Sequence, residues 1–194
     1  MPPPFPDAPR LRNAAATRQA MLHAARRHFA RESYESVGLR EIARDAGADP
    51  ALVSRYFGSK EHLFQEALRG DKKKMLDDVS REDLPAHLAA LIIDDSASCE
   101  VTAANLDRVM ILLRSASSPK ASEIVRAALH EDMLGPIARI IGGEDAELRA
   151  ALCLAILMGN GTVRSALALD AACDGDPEVF RARLIRLFAV ALAD

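Results

Sequence analysis

The segment Leu39–Phe57 constrains the fold most, because it holds two helical stretches too short to stand alone, separated by an obligatory turn. Leu39, Ile42, Ala43 and Ala46 share one helical face, and Gly47 follows where the chain must turn left-handed. Asp49 and Pro50 read as an N-cap and the first helical residue, and Gly58-Ser59 stops the second stretch near Phe57. A helix this short is marginal in water. Val53 and Phe57, four apart, are therefore expected to pack with Ile42 and Leu63, leaving Ala51, Leu52, Ser54, Arg55 and Tyr56 outward or on the flanks. Short helix, glycine turn, short helix is the helix-turn-helix pattern, whose second helix lies in a DNA major groove. Arg55 suits bidentate binding to guanine O6/N7, and small apolar groups suit a thymine methyl. The competing reading is that Arg40 and Arg55 only pair with Glu41, Asp45 or Asp49 on a solvated surface.

The rest of the chain is also helical in period. Ala and Leu dominate, aromatic residues make up 4%, and no strand-like alternation of useful length occurs. Residues 1–11 are Pro-rich and are expected to form a mobile arm. Met21, Leu22, Ala25 and Phe29 predict a first helix over Asn13–Arg31, and Ser59 is expected to cap a long helix from Lys60 to about Val79. Further helices are expected at about 83–94, 103–116, 119–141, 144–170 and 177–193. The expected architecture is all-α, with about nine helices: an arm (1–11), a three-helix helix-turn-helix domain (12–58) and a helical effector-binding and dimerisation domain (59–194).

Net charge is −3, but its distribution is uneven. Residues 10–74 carry 14 Lys and Arg against 8 Asp and Glu, while residues 75–194 carry 11 against 19. A basic head on an acidic body places a polyanion at the N-terminal end.

The collinear set Thr17-Arg18, Ala24-Ala25, Phe29, Tyr34, Leu39-Arg40-Glu41-Ile42-Ala43, Ala46-Gly47, Tyr56-Phe57-Gly58-Ser59-Lys60-Glu61 and Leu63-Phe64 resembles the N-terminal domain of the TetR/AcrR family of transcriptional regulators. The resemblance covers about residues 13–70. It implies that Arg40 reaches a base edge while Tyr56 and Lys60 meet phosphates, giving DNA contacts at Arg40, Ala51, Leu52, Ser54, Arg55, Tyr56 and Lys60. Arg10, Arg12 and Arg18 are expected to follow the backbone or the minor groove. Two positions depart from the family pattern: Ser33 replaces a turn glycine, and Gly38 replaces the Ser or Thr that caps the second helix and touches phosphate.

The resemblance also implies a homodimer and a ligand-responsive repressor reading a palindromic operator of double-stranded DNA. The helices at about 144–170 and 177–193 can supply a four-helix interface, although an intramolecular core would have the same period. Met110, Leu113, Arg114, Val125, Leu129, His130 and Met133 are the candidate wall of an effector cavity for a small lipophilic or weakly acidic molecule. The alternatives are an effector-independent dimer governed by a protein partner, and a helical module that does not bind DNA.

Catalytic chemistry is not expected. P-loop, Rossmann, HExxH and GxSxG patterns are absent, and the five histidines lack metal-ligand spacing, so no enzyme activity, metal or cofactor is expected. Gly159-Asn160-Gly161 reads as close helix packing or a kink rather than a phosphate loop. Cys99, Cys153 and Cys173 are expected to be free thiols, with Cys173 inert rather than a redox sensor. No apolar run reaches the ~18 residues of a membrane span and no export signal is visible, so a cytoplasmic protein is expected.

Overall fold

The computed structural model describes residues 8–69, 76, 78–93, 103–170 and 175–193. Among them nine helices follow in order: α1 Ala8–Arg31, α2 Leu39–Asp45, α3 Pro50–Phe57, α4 Lys60–Arg69, α5 Leu84–Ile93 and α6 Ala103–Ser115, then α7, α8 and α9. Helix α7 starts as Pro119–Leu129, passes through a π-helical turn at His130–Leu134 and continues as Gly135–Ile141. Helix α8 is Ala146–Gly161 extended by a second π turn at Thr162–Ala166, and α9 is Pro177–Leu192. The fold is all-α, a helix-turn-helix head on a helical body.

Three boundaries differ from the sequence reading. Helix α1 begins at Ala8 rather than near Asn13. Pro9 is tolerated in a first turn, and the alanines that follow propagate the helix. Residues 1–7 of the expected arm lie outside the described residues. Helix α4 is described over Lys60–Arg69, residues 70–75 of its expected continuation lie outside the described residues, and Leu76 and Asp78 are in turns, with Asp78 at φ 62°. Helix α8 ends at Ala166 rather than at 170, because Ala168 takes φ 47°, a conformation a helix cannot continue through.

Packing divides the chain into two cores. The first joins Met21, Phe29, Ile42, Val53, Phe57, Leu63 and Phe64 with Ile111 of α6 and with Ala121, Ile124, Val125 and Ala128 of α7. The second joins Leu84, Leu88 and Ile92 with Ile137, Ile141, Cys153, Leu184 and Phe188. The packing therefore does not change over at residue 58: α4 is buried in the same core as the helix-turn-helix. Helix α7 crosses from one core to the other, and its π turn lies at the crossing. There the Gly135 N–H bonds the His130 carbonyl, and a Cβ at Gly135 would stand 3.0 Å from that oxygen. Gly161 is likewise a point of close approach, since its Cβ would lie 3.4 Å from Val109 Cγ2.

Two nearly buried arginines pin helix ends. Arg26 Nε donates to the Ala67 carbonyl at 3.0 Å, tying α1 to α4. Arg149, only 3% exposed, pairs with Asp145 and donates to the Gly142 and Leu192 carbonyls, closing the turn before α8 onto the end of α9. Cys153 is fully buried, and burial pushes its thiol up to about 11, the environment of an inert cysteine. Cys99 and Cys173 lie outside the described residues.

Helix α8 with its π turn, Ala146–Ala166, is long and apolar enough to cross a membrane by length and composition alone. Its apolar residues split between two faces. Ala150 and Cys153 face the second core, whereas Leu148 is 61% exposed and Leu152 48%. Helix α9 divides the same way, with Leu184 and Phe188 inside and Leu187 and Val190 outside.

Candidate nucleic-acid interface

The α2–α3 unit is built as its local residues dictate. Gly47 turns the chain at φ 65°, where an L side chain would be strained, and the Ala48 N–H reaches back to the Ala43 carbonyl at 2.9 Å. Asp49 Oδ1 accepts from the Ala51 N–H at 2.7 Å, with Pro50 as the first helical residue. Val53 and Phe57 are buried beside Ile42, Ala43 and Leu63, so the eight-residue α3 is held from one side. Ala51, Ser54 and Arg55 are exposed, as is Arg40 on α2, while Leu52 and Tyr56 are half-buried against the first core.

Two of the three acidic neighbours are committed elsewhere. Asp49 caps α3. Asp45 Oδ2 lies 2.8 Å from His28 Nε2, and that hydrogen bond holds the Asp45 carboxyl below its usual range. Among the described residues no hydrogen bond or ion pair ties down Arg40 or Arg55. The sequence reading missed Arg27 and Arg44, both exposed and both close enough to act on Asp45 electrostatically. Arg44 follows Arg40 by one helical turn, which was the available signal.

Two basic residues expected on phosphate make contacts within the protein. Lys60 Nζ donates to the Glu35 carbonyl at 3.3 Å and sits 4.8 Å from the Tyr34 ring centroid, and partial burial lowers its pKa. Tyr34 itself is pushed up to about 12, by burial first and then by Glu61. Arg18 pairs with Glu66 and lies 4.9 Å from the Phe57 ring centroid, bracing α1 against α3 and α4. The side chains of Arg10 and Arg12 lie outside the described residues.

The departures at Ser33 and Gly38 have local explanations. Ser33 has no positive φ, and its hydroxyl lies 2.8 Å from that of Ser36, so this turn is closed by serines and needs no glycine. Gly38 caps α2 in an extended conformation without a side-chain bond, and a Cβ there would stand 3.1 Å from Glu41 Oε2.

The seven residues expected to wall an effector cavity do not converge. Leu113 and His130 are exposed, Met110, Val125 and Leu129 pack into the first core, and Met133 packs on the second. Arg114 Nε donates to the Ala30 carbonyl at 2.8 Å, stapling α6 to the last turn of α1. Arg114 thus ties two helices together through Nε. Among the described residues no group of three or more His, Cys, Asp or Glu could hold a metal ion.

Two family profiles match successive parts of the chain. Residues 21–67 match the family profile described as bacterial regulatory proteins, tetR family, and residues 82–192 match the tetracyclin repressor-like C-terminal domain. The HTH-type transcriptional regulator BetI of Rhizobium meliloti (strain 1021) is 30% identical over 151 residues, covering 73% of this chain and 74% of the relative. The HTH-type transcriptional repressor AcnR of Corynebacterium glutamicum is 32% identical over 78 residues, covering 40% of this chain and 42% of the relative. Among solved structures, a transcriptional regulator from Rhodococcus sp. Rha1 superposes with a TM-score of 0.58 at 26% identity, covering 90% of this chain and 95% of that one. NalD, the secondary repressor of the MexAB-OprM multidrug efflux pump in Pseudomonas aeruginosa, shares the fold with a TM-score of 0.59 at 19% identity, covering 88% and 95%.

Restoring a hydroxyl at the α2 cap tests the local analysis. Gly38→Ser is expected to stabilise the protein by about 0.3 kcal/mol in urea unfolding, since Ser and Glu41 can form a reciprocal capping box. A loss of stability instead would mean that the Glu41 carboxylate cannot yield to the new Cβ.

Proposed function

The chain belongs to the TetR family of bacterial regulatory proteins, and on that premise we propose that it is a homodimeric repressor reading a roughly palindromic operator through α3. Members of the family are transcriptional regulators, not enzymes. The observation that carries the reading is the pair Arg40 and Arg55, exposed on two short helices whose opposite sides are locked into the first core. Arg55 reads a guanine, Arg40 a second base edge, and Ala51, Leu52 and Ser54 offer the small groups that let α3 approach the groove floor. Tyr56 meets phosphate from the flank, and Lys60 does so by leaving the Glu35 carbonyl. A partner of this kind places the protein in the cytoplasm.

The two copies meet through α8 and α9. Leu148 and Leu152 with Ala151, Ala155 and Gly159 on α8, and Val179, Leu187 and Val190 on α9, form an outward apolar face that no described residue of the same chain covers. A two-fold axis through that face buries it against itself and presents two α3 helices to successive major-groove faces. The same burial accounts for an apolar α8 without a membrane.

A second reading adds a small acidic effector. Among the described residues, Arg164 Nε is buried with no hydrogen-bond acceptor, and its guanidinium lies 4.7 Å from the Phe180 ring centroid. A carboxylate there would satisfy the donor with a charge-assisted bond. That site lies between the second π turn and α9.

Three measurements test these proposals. In fluorescence anisotropy with DNA from upstream of its own gene, Arg55→Ala is expected to lose roughly 1–3 kcal/mol and relax one operator position; equal loss on every sequence would contradict base reading. Leu152→Glu combined with Val190→Glu is expected to sediment as a monomer with operator affinity reduced at least about tenfold, and an intact dimer would move the interface elsewhere. In a thermal-shift screen of small carboxylic acids, a stabiliser is expected whose effect disappears in Arg164→Met; an undiminished shift excludes that site.

A further inference from the structure

Helix α4 of the head and the first half of α7 lie side by side. Their shared seam is made largely of small or smooth residues, Ala67 and Leu68 on one side and Ala121, Ile124, Val125 and Ala128 on the other. Such a seam holds two helices together but resists rotation weakly, because apolar attraction is non-directional. Direction comes from polar contacts at its two ends. At one end Ser118 accepts from the Ala121 N–H to cap α7 and donates to Glu35 Oε1 at 2.6 Å, while Lys60 donates to the Glu35 carbonyl. At the other end Arg69, the last residue of α4, donates from Nε to Asp132 Oδ2 at 2.5 Å and from Nη2 to Glu131 Oε2 at 2.5 Å.

The second contact falls on the π turn. Adjacent residues on a regular α-helix point about 100° apart, yet Glu131 and Asp132 both reach one guanidinium, and both lie within His130–Leu134. A π turn of this kind is uncommon and is frequent at functional positions. It also lies where α7 passes from the first core into the second, so the clasp joins the head to the junction between them.

We infer that Arg69 is a positioning residue for DNA binding: held by Glu131 and Asp132, it sets the angle at which the head leaves the body and so the separation of the two reading helices. This rests on the reading of the chain as a dimeric operator-binding protein. The lever is long enough to matter. The ten residues of α4 span about 15 Å, so a rotation of about 10° at the Arg69 end displaces the far end by roughly 3 Å. That is close to the ~3.4 Å between successive bases on a strand. Without the clasp each head samples neighbouring registers. Its own half-site contacts persist, but the dimer no longer discriminates half-site spacing.

The test uses the full-length protein. Operators are selected from a random DNA pool, and one or two base pairs are then inserted or deleted between the half-sites. Wild type is expected to lose about tenfold or more in affinity per single-base-pair change. Glu131→Gln with Asp132→Asn, and separately Arg69→Gln, are expected to bind an isolated half-site within about twofold of wild type while their spacing discrimination falls below about threefold. Arg69→Lys, which keeps one charged donor, should fall between. Glu131 is 72% exposed, so the carboxylate variants should retain the wild-type helical content and melting profile. Wild-type spacing discrimination in those variants overturns the inference, as does a parallel loss of half-site affinity and fold, which would make the clasp merely structural. If wild type selects no sequence at all, the operator reading fails first, and the inference with it.

Discussion

Everything the head can do depends on burying one side of a helix that could not exist by itself. Eight residues cannot meet the cost of helix nucleation from their own hydrogen bonds, so α3 persists because Val53 and Phe57 are sunk among Ile42, Ala43 and Leu63. The same anchoring makes the remaining face rigid. A side chain that must meet a base edge within a few tenths of an ångström needs a backbone that does not fray, and here rigidity comes from below rather than from length. Around it the Phe29, Tyr34 and Phe64 rings form a cluster, with Phe29 and Phe64 edge to face at 4.8 Å between centroids. Lys60 closes the cluster over Tyr34, and Arg18 lies over the neighbouring Phe57.

Much of this was legible in the residues, because its causes are local. Gly47, Asp49-Pro50 and Gly58 each impose a backbone geometry that few other residues supply, so α2 and α3 fell where they were expected. The apolar periods of α5, α6, α7 and α9 also placed those helices to within a residue or two. What escaped was what depends on distant partners. Nothing near Arg114 points to the Ala30 carbonyl, and nothing near Lys60 points to the Glu35 carbonyl. Arg26 had a faint signal, since it shares the stripe of Leu22 and Phe29. The π turns were hidden as well, because neither His130–Leu134 nor Thr162–Ala166 carries a residue that marks one.

Arginine serves opposite ends in this chain. Arg26, Arg114 and Arg149 spend their donors on backbone carbonyls at helix ends, where a buried acceptor without a partner would be costly. Arg40 and Arg55 keep theirs toward solvent. Arg69 stands between these groups, partly buried and held by two carboxylates rather than by a carbonyl. Residue type alone therefore says little about the role of a basic side chain. Burial, and the number of carbonyls within reach, separates structure from recognition.

The outward apolar face of α8 and α9 has a genetic consequence. On the proposed pairing through this face, which lies far along the chain from α3, a copy with a ruined α3 would keep its full capacity to pair. Such a copy, made alongside a sound one, would capture sound partners in mixed pairs that grip the target on one side only. Lesions in the head should therefore be dominant over the normal gene, whereas lesions that also spoil the apolar face should be recessive.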